Sequence, residues 1–381
     1  MTVYTKILTP SNVEYLILTG TGNINGSGNS ADNLIFGNAG VNVLTGGAGN
    51  DAYIVSTAGT TVIENSSEGT DTVLSAVTFS LGANVEHLTL TGSANINGTG
   101  NSLANTLAGN TGINILTGGD GTDTYVIHHS ASTIVETLTG GTDIVTSDVS
   151  FALGANVEHL FLLGGGNINA TGNAIQNVLV GNLGINTLTG GAGDDIYFVQ
   201  AAGATLIENP GAGLDTLFNY VSMTLDDNVE DMRLQGTGNI NGTGNASANV
   251  LTGNSGSNTL NGKGGLDTLI GGSGADTFRF DSALNATTNL DTITDFSVTD
   301  DTLQLENALF TALTATGTLS ADMFRSGAGI TTAADANDFL IYNSSTGALY
   351  YDPDGSGSTA SIQFATLTGN PALTNADFVV S

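Results

Sequence analysis

Four short markers return along this 381-residue chain at one constant interval, and no insertion shifts any of them. Asn-Val-Glu starts at Asn12, Asn84, Asn156 and Asn228. Aspartate recurs at Asp51, Asp123, Asp195 and Asp267, glutamate at Glu64, Glu136 and Glu208, and a second aspartate at Asp71, Asp143 and Asp215. Tandem globular domains tolerate drifting loop lengths. Stacked coils do not, because each coil is the wall of the next. The register therefore selects a solenoid. One period, such as residues 12–83, equals eight nine-residue units, so the sequence predicts four coils of two nonapeptides each.

The nonapeptide is clearest at residues 46–54 (GGAGNDAYI), 118–126 (GGDGTDTYV) and 190–198 (GGAGDDIYF). Two adjacent copies follow at 262–270 (GKGGLDTLI) and 271–279 (GGSGADTFR). The shared form is G-G-x-G-x-D-x-apolar-x. Glycine accepts left-handed backbone without a Cβ penalty, so six residues can turn tightly with their carbonyls inward. The apolar eighth residue then begins a short strand that points into the core. A hard cation such as calcium takes about six to eight oxygens, which carbonyls and a carboxylate supply. One turn cannot fill that shell but two stacked turns can, so ion binding and stacking are expected to be coupled. The candidate ligands are Gly46, Gly47, Gly49 and Asp51; Gly118, Gly119, Gly121 and Asp123; and Gly190, Gly191, Gly193 and Asp195. To these are added Gly262, Gly265 and Asp267, and Gly271, Gly272, Gly274 and Asp276. Stacking two nonapeptides apart sets Asp51 against Asn33 and Asp276 against Asn258. Each site then has one carboxylate, and the neighbouring Asp267 and Asp276 form the better-supplied region.

Most sixth positions are asparagine, as at Asn33 and Asn42, Asn105 and Asn114, and Asn177 and Asn186. Asparagine tolerates left-handed turns and offers one neutral oxygen. It can also stack into an amide ladder without metal, so fewer ions than turns are expected. The other half of each period, such as residues 55–90, combines β-branched residues, partial alternation and glycine breaks, and reads as strands. Glu64, Asp71 and Glu86 read there as solvated turn or edge residues.

Thirty-five acidic residues against 5 Lys and Arg leave a net charge of −30. That excludes nucleic acid and other polyanions as partners and suits cations. There is no cysteine, so disulfides and thiolate metal sites are ruled out. Residues 1–20 contain one lysine and no sustained apolar run, unlike a Sec-type leader. No stretch reaches the ~18 apolar residues of a membrane span.

After Phe280 the repeats stop. Residues 291–296 and 301–305 are strand-like, and 306–325 allow one or two short helices with Ser320 as N-cap. Residues 339–343 and 349–352 flank a hairpin turn. The run YYDPDG at 350–355 reads as a turn, because an EF-hand loop would need a closing glutamate that is absent. The expected fold is all-β: a right-handed parallel β-solenoid, β-roll-like, over residues 1–281, and a small mixed cap over 282–381.

The glycine-rich repeats resemble the repeats-in-toxin (RTX), hemolysin-type calcium-binding proteins of bacteria across roughly residues 12–281. The tail, with LIYNSSTGALYYDPDGSG and IQFATLTGNPALTNADFVV, is similar to the ends of type I secretion substrates. The resemblance implies calcium as cofactor and an uncleaved export signal near Asp377-Phe378-Val379-Val380. It also implies a chain that folds on meeting calcium outside the cell. Departures from the pattern are the many asparagines, Lys263 in place of a motif glycine, and the long strand segments between arrays.

Neither H-E-x-x-H nor G-x-S-x-G occurs. His87 and His159 fall at repeat positions held elsewhere by Tyr15 and Asp231, so an enzyme is not expected. Two classes of function remain. One is a secreted structural, adhesive, surface-layer or matrix protein whose partners are calcium and cell-surface components. The other is a module that binds polysaccharide or ice along one solenoid face, or the carboxy-terminal portion of a larger RTX protein. A glycan face needs exposed aromatic platforms, and an ice face needs an unbroken Thr or Asn ladder.

Overall fold

The computed structural model describes residues 6–381, and part of the amino-terminal stretch weighed above as a leader lies outside them. The chain divides into two compact units, Met1–Gly193 and Asp194–Ser381. Apart from two 3₁₀ turns, Ala321–Met323 and Asn375–Asp377, every regular element among the described residues is a strand. The expected parallel β-solenoid is what forms.

In the first unit one wall is a continuous parallel sheet. It includes Leu34–Phe36, Ala52–Val55, Thr72–Ser75, His87–Leu90, Thr106–Ala108 and Thr124–Ile127. The opposite wall is broken into separate stretches of short strands. Asn25–Ser27, Val43–Thr45 and Thr61–Val62 belong to one, and Phe79–Ser80, Gly98–Thr99, Ile115–Thr117 and Thr133–Val135 make the next. Alternate residues of a strand face opposite sides. Ile35, Tyr53, Val73, Leu88, Leu107 and Tyr125 thus form a buried column on one wall, and Leu44, Val62, Phe79 and Leu116 face them from the other. Each such side chain contributes about 1.5–3 kcal/mol by burial.

The coils are not of one length. Along the continuous wall Leu34 pairs with Ala52, Ala52 with Thr72, Thr72 with His87 and His87 with Thr106. The step from Ala52 to Thr72 is the longest of the four, and the step from Thr72 to His87 the shortest. One period is therefore four unequal coils, and the two nonapeptides expected per coil hold only as an average. The long coil carries an extra acidic turn after Glu64. The short coil replaces a glycine loop with a tight corner in which Asn84 takes φ 62°, as Asn156 does in the next period. Asparagine is among the few side chains that accept that conformation.

The second unit has a parallel wall of its own: Ile196–Val199, Thr216–Asn219, Asp231–Leu234, Val250–Thr252, Thr268–Ile270, Asp291–Ile293 and Ile362–Leu367. The sheet then becomes mixed. Ala348–Tyr351 pairs antiparallel with both Leu340–Asn343 and Ile362–Leu367, which is the hairpin read from the sequence. The final strand, Phe378–Val380, lies parallel to Thr302–Leu305, itself parallel to Thr277–Phe280 on the other wall. The helices expected over 306–325 reduce to the Ala321–Met323 turn, and Ser320 makes no side-chain cap bond there. Its hydroxyl is drawn to the Asp322 carboxylate instead.

Candidate metal centres

The glycines of the motif serve two different purposes. Gly47 and Gly49 hold φ of 102° and 115°, which an L side chain rarely adopts. Gly46 is glycine for lack of space: a methyl group there would overlap Asp51 Oδ2 and Tyr53 Oη, and one at Gly118 would overlap Asp123 Oδ2 and Tyr125 Oη. Lys263, where the motif has glycine, sits at φ 70° and places Nζ 2.9 Å from Asp281. We expect Gly118→Ala to cost about 1–3 kcal/mol through overpacking. Gly166→Ala, in open space, should melt like the parent. Equal thermal melts for the two variants in calcium would contradict this account of the first glycine.

Asparagine and aspartate turns close differently. Asn42 Oδ1 accepts from the Asn38 amide at 3.0 Å, and its Nδ2 donates to the Ile24 carbonyl of the preceding coil at 2.7 Å. An amide carries donor and acceptor together, so such a turn is satisfied by the protein alone. At Asn42, Asn114 and Asn186 the amide ladder open to asparagine is not what forms: each Nδ2 donates to a backbone carbonyl of the preceding coil. A carboxylate has acceptors only. Asp51 Oδ1 accepts from the Asn33 amide at 2.6 Å, but Asp51 Oδ2 is buried without any partner.

What faces that oxygen is more acid. Asp51, Glu64 and Asp71 are all buried, and each brings one oxygen within 4.8 Å of the others. The Asp51 amide donates to Asp71 Oδ1 at 2.8 Å, and the Gly46 amide to Glu64 Oε1 at 2.8 Å. Tyr53 Oη donates to that same Glu64 oxygen. The second oxygens, Asp51 Oδ2, Glu64 Oε2 and Asp71 Oδ2, have no partner. Asp123, Glu136 and Asp143 repeat the cluster in the same unit, with Tyr125 on Glu136 and unpartnered Asp123 Oδ2, Glu136 Oε2 and Asp143 Oδ2. In the second unit Asp195, Glu208 and Asp215 converge in the same way, with Tyr197 on Glu208.

Burial, followed by the charges of the neighbouring acids, drives these groups towards their neutral forms. Burial first, then Asp71, pushes Asp51 up to about 6 against the pull of the Asn33 amide. Burial first, with Asp71 and Asp51 adding to it, takes Glu64 to about 8. Asp123 rises to about 6 and Glu136 to about 7, again by burial first. Burial also raises Tyr125, as does its bond to Glu136, so its hydroxyl stays a donor. Three carboxyls with orphaned oxygens beside a glycine turn are a hard-oxygen donor set, which fits calcium.

The sequence expectation of one carboxylate per site is thus corrected. Asp51 does lie over Asn33, and Asp276 over Asn258, whose amide it accepts at 2.8 Å. Asp267 accepts from the Asn249 amide at 2.7 Å. Glu64 and Asp71, read as solvated, are instead 5% and 1% exposed. Glu86 is half-buried and accepts the Asp71 amide at 2.8 Å. Asp267 and Asp276 do not make one rich region, because their turns lead into strands of opposite walls, Thr268–Ile270 and Thr277–Phe280.

Four segments, residues 27–54, 99–126, 171–201 and 243–278, match the RTX calcium-binding nonapeptide repeat family. Two glycanases of Rhizobium meliloti (strain 1021) share partial similarity. Endo-1,3-1,4-beta-glycanase EglC is 33% identical over 66 residues, 17% of this chain and 14% of the relative. Endo-1,3-1,4-beta-glycanase ExsH is 33% identical over 81 residues, 21% of this chain and 17% of the relative. The chain thus spans under a fifth of either curated relative. Among the described residues no helix is long and apolar enough to cross a membrane. The four matched segments and the parallel β-solenoid that carries them fit an RTX, hemolysin-type calcium-binding repeat protein.

Proposed function

We propose that the chain is a non-catalytic structural solenoid, locked by calcium at Asp51/Glu64/Asp71, Asp123/Glu136/Asp143 and Asp195/Glu208/Asp215, that works outside the cell in an adhesive, surface-layer or matrix role. One observation carries this reading: the buried, unpartnered carboxylate oxygens of the first two clusters. Uncompensated buried charge costs several kcal/mol per ion, so such clusters persist only with a cation or with protons. A calcium ion would supply two charges there, and the glycine turns would add backbone carbonyls. The repeat argues against catalysis, since His87 and His159 are replaced by Asp231 in the next period.

The export reading gains a condition. Phe378 and Val380 are buried in the folded chain, so a signal there would be readable only while the chain is unfolded. That suits folding on meeting calcium outside the cell.

Equilibrium dialysis tests the sites. The Glu64→Gln plus Asp71→Asn variant should bind one calcium fewer than the parent, and an unchanged count in a folded variant would exclude that cluster. Tyr125→Phe should keep the ion count but weaken the second cluster about 10-fold, as expected for a group that orients a ligand. Calorimetric titration showing parent-like affinity would remove Tyr125 from that role.

A second reading is favoured by one feature. Phe198 and Phe218 point outward from the continuous wall and stack at 5.0 Å, and the Arg233 guanidinium lies 5.6 Å from the Phe218 ring centre. An aromatic platform of this kind suits a sugar ring, and EglC and ExsH are by name glycanases. A glycan array probed with the parent and with Phe198→Ala plus Phe218→Ala decides it. Binding lost in the variant supports a polysaccharide face, and no binding by the parent removes it.

A further inference from the structure

The closing segment of the second unit holds a cleft that neither the acidic clusters nor the outer wall uses. Its volume is about 380 Å³, at the lower end of the ~300–1,000 Å³ of small-ligand sites. Thr331, Thr332 and Ala333 form one side, and strand Ala348–Tyr351 with the turn after it forms the other. Successive strand residues face opposite ways. Tyr351 packs inward with its ring 5.0 Å from Phe310, so Tyr350 faces the other way and lines the cleft.

The two sides are pinned to each other. The Ser356 amide donates to the Asp335 carbonyl at 2.8 Å, and Ser361 Oγ to the Thr331 carbonyl at 2.6 Å. Gly355 takes φ 61° against the Ala336 carbonyl, where a methyl group would come within 2.5 Å. Asp354 Oδ2 clasps the turn, accepting from the Thr359 amide at 3.1 Å and from its hydroxyl at 2.8 Å. The cleft is therefore preformed, and a ligand entering it has little of the chain to order.

Its lining is rich in hydroxyls. Thr331, Thr332, Ser356 and Tyr350 all line it, and among the described residues none of these four hydroxyls has a hydrogen-bond partner. A hydroxyl both donates and accepts, so the set matches a ligand that is itself made of hydroxyls. Asp352 lines the cleft and no lysine or arginine does, which disfavours an anion. Asp352 is the one carboxylate there, and its Oδ1 already accepts the Asp354 amide at 3.3 Å, so a hard cation lacks a donor set. An apolar ligand would leave the hydroxyls buried without partners. A pyranose ring meets every condition: its C–H face covers the Tyr350 ring while its hydroxyls pair with the threonines and Ser356.

We propose that this cleft binds a neutral hexose unit of a glycan. The site is separate from the Phe198 and Phe218 rings and from the acidic clusters, and the inference rests on neither. It would give an adhesive role a partner at the closing segment.

The test uses the full chain in saturating calcium in three forms: parent, Thr331→Val plus Ser356→Ala, and Phe198→Ala plus Phe218→Ala. Each is applied to an array of neutral hexose oligosaccharides, with hexuronic oligosaccharides as anionic controls. The parent should retain neutral oligosaccharides and pass the uronic ones. Removing two hydroxyls should weaken that binding about 10-fold, and the Phe198/Phe218 variant should bind like the parent. If binding falls only in the Phe198/Phe218 variant, the outer wall is the glycan face and the cleft is not. A parent that retains only uronic oligosaccharides, or none, overturns the proposal. Amide exchange of the parent, followed by mass spectrometry with the best-retained neutral oligosaccharide, does not depend on any variant folding. Exchange should slow over residues 331–335 and 352–361, and unchanged exchange there would refute the cleft even with a positive array.

Discussion

Stripping calcium from the full chain at pH 7.5 and low salt should abolish its cooperative melting transition and most of its β signal in circular dichroism. An ion at 100 times its dissociation constant stabilises a fold by about 2.7 kcal/mol, so three ions supply about 8 kcal/mol. A domain's whole stability is about 5–15 kcal/mol. The stripped chain also keeps a net charge of −30, which opposes compaction. Acid should partly replace the metal. Folded Asp51 and Asp123 sit at about 6, Glu136 at about 7 and Glu64 at about 8, all above their unfolded values. The folded chain therefore binds more protons than the unfolded one between about pH 4 and 8, and this contribution is lost as pH rises through that window. In chelator the protein should melt higher at pH 5 than at pH 8. Calcium affinity should run the other way, tightening with pH as the ion displaces protons. A chelated protein that melts like the calcium form at pH 7.5, or identically at pH 5 and 8, would refute the convergence of charge in these turns.

Ending the chain after residue 370 should cost nearly as much as stripping the metal, even in saturating calcium. The lost residues include Phe378, fully buried with its ring 5.1 Å from Phe324, and Val380. They also include the strand that covers Thr302–Leu305 and the Phe378 carbonyl that takes the Leu319 amide at 3.0 Å. Phe378→Ala alone should cost about 3–5 kcal/mol. If the tail is also the export signal, the truncated chain should stay in the cell. Leu303→Ala separates the two roles, because Leu303 is buried opposite Phe378 and its loss weakens the seat of the last strand while leaving Asp377-Phe378-Val379-Val380 intact. A truncated chain with a parent-like melt would show that the last strand is dispensable.

The repeat made the solenoid legible because a long register kept without insertions has few other physical solutions, and each marker kept its place on a wall. Tyr53 and Tyr125 were legible as core residues from their eighth position in the turn. What could not be read was which acids meet. Glu64 and Asp71 follow Asp51 at spacings that are no multiple of the nonapeptide, and only unequal coils bring the three together. A signal was present: Glu64 and Asp71 keep the register only where tyrosine holds the eighth position. In the fourth period Phe280 and Thr287 stand in their places and Leu269 in that of the tyrosine.

The sequence by itself determined the period, the turn chemistry, the buried faces and the need for a cation, since each follows from local residue types repeated in phase. Only the tertiary structure decided the ligand sets. A carboxylate's partner is set by the coil lying beside it, and coil length is settled by packing across the stack, which no single stretch of sequence encodes. Asp295 and Asp301 make the same point most sharply. They belong to no repeat, and they accept the Gly271 and Asp276 amides only because the closing segment folds back onto the last coil.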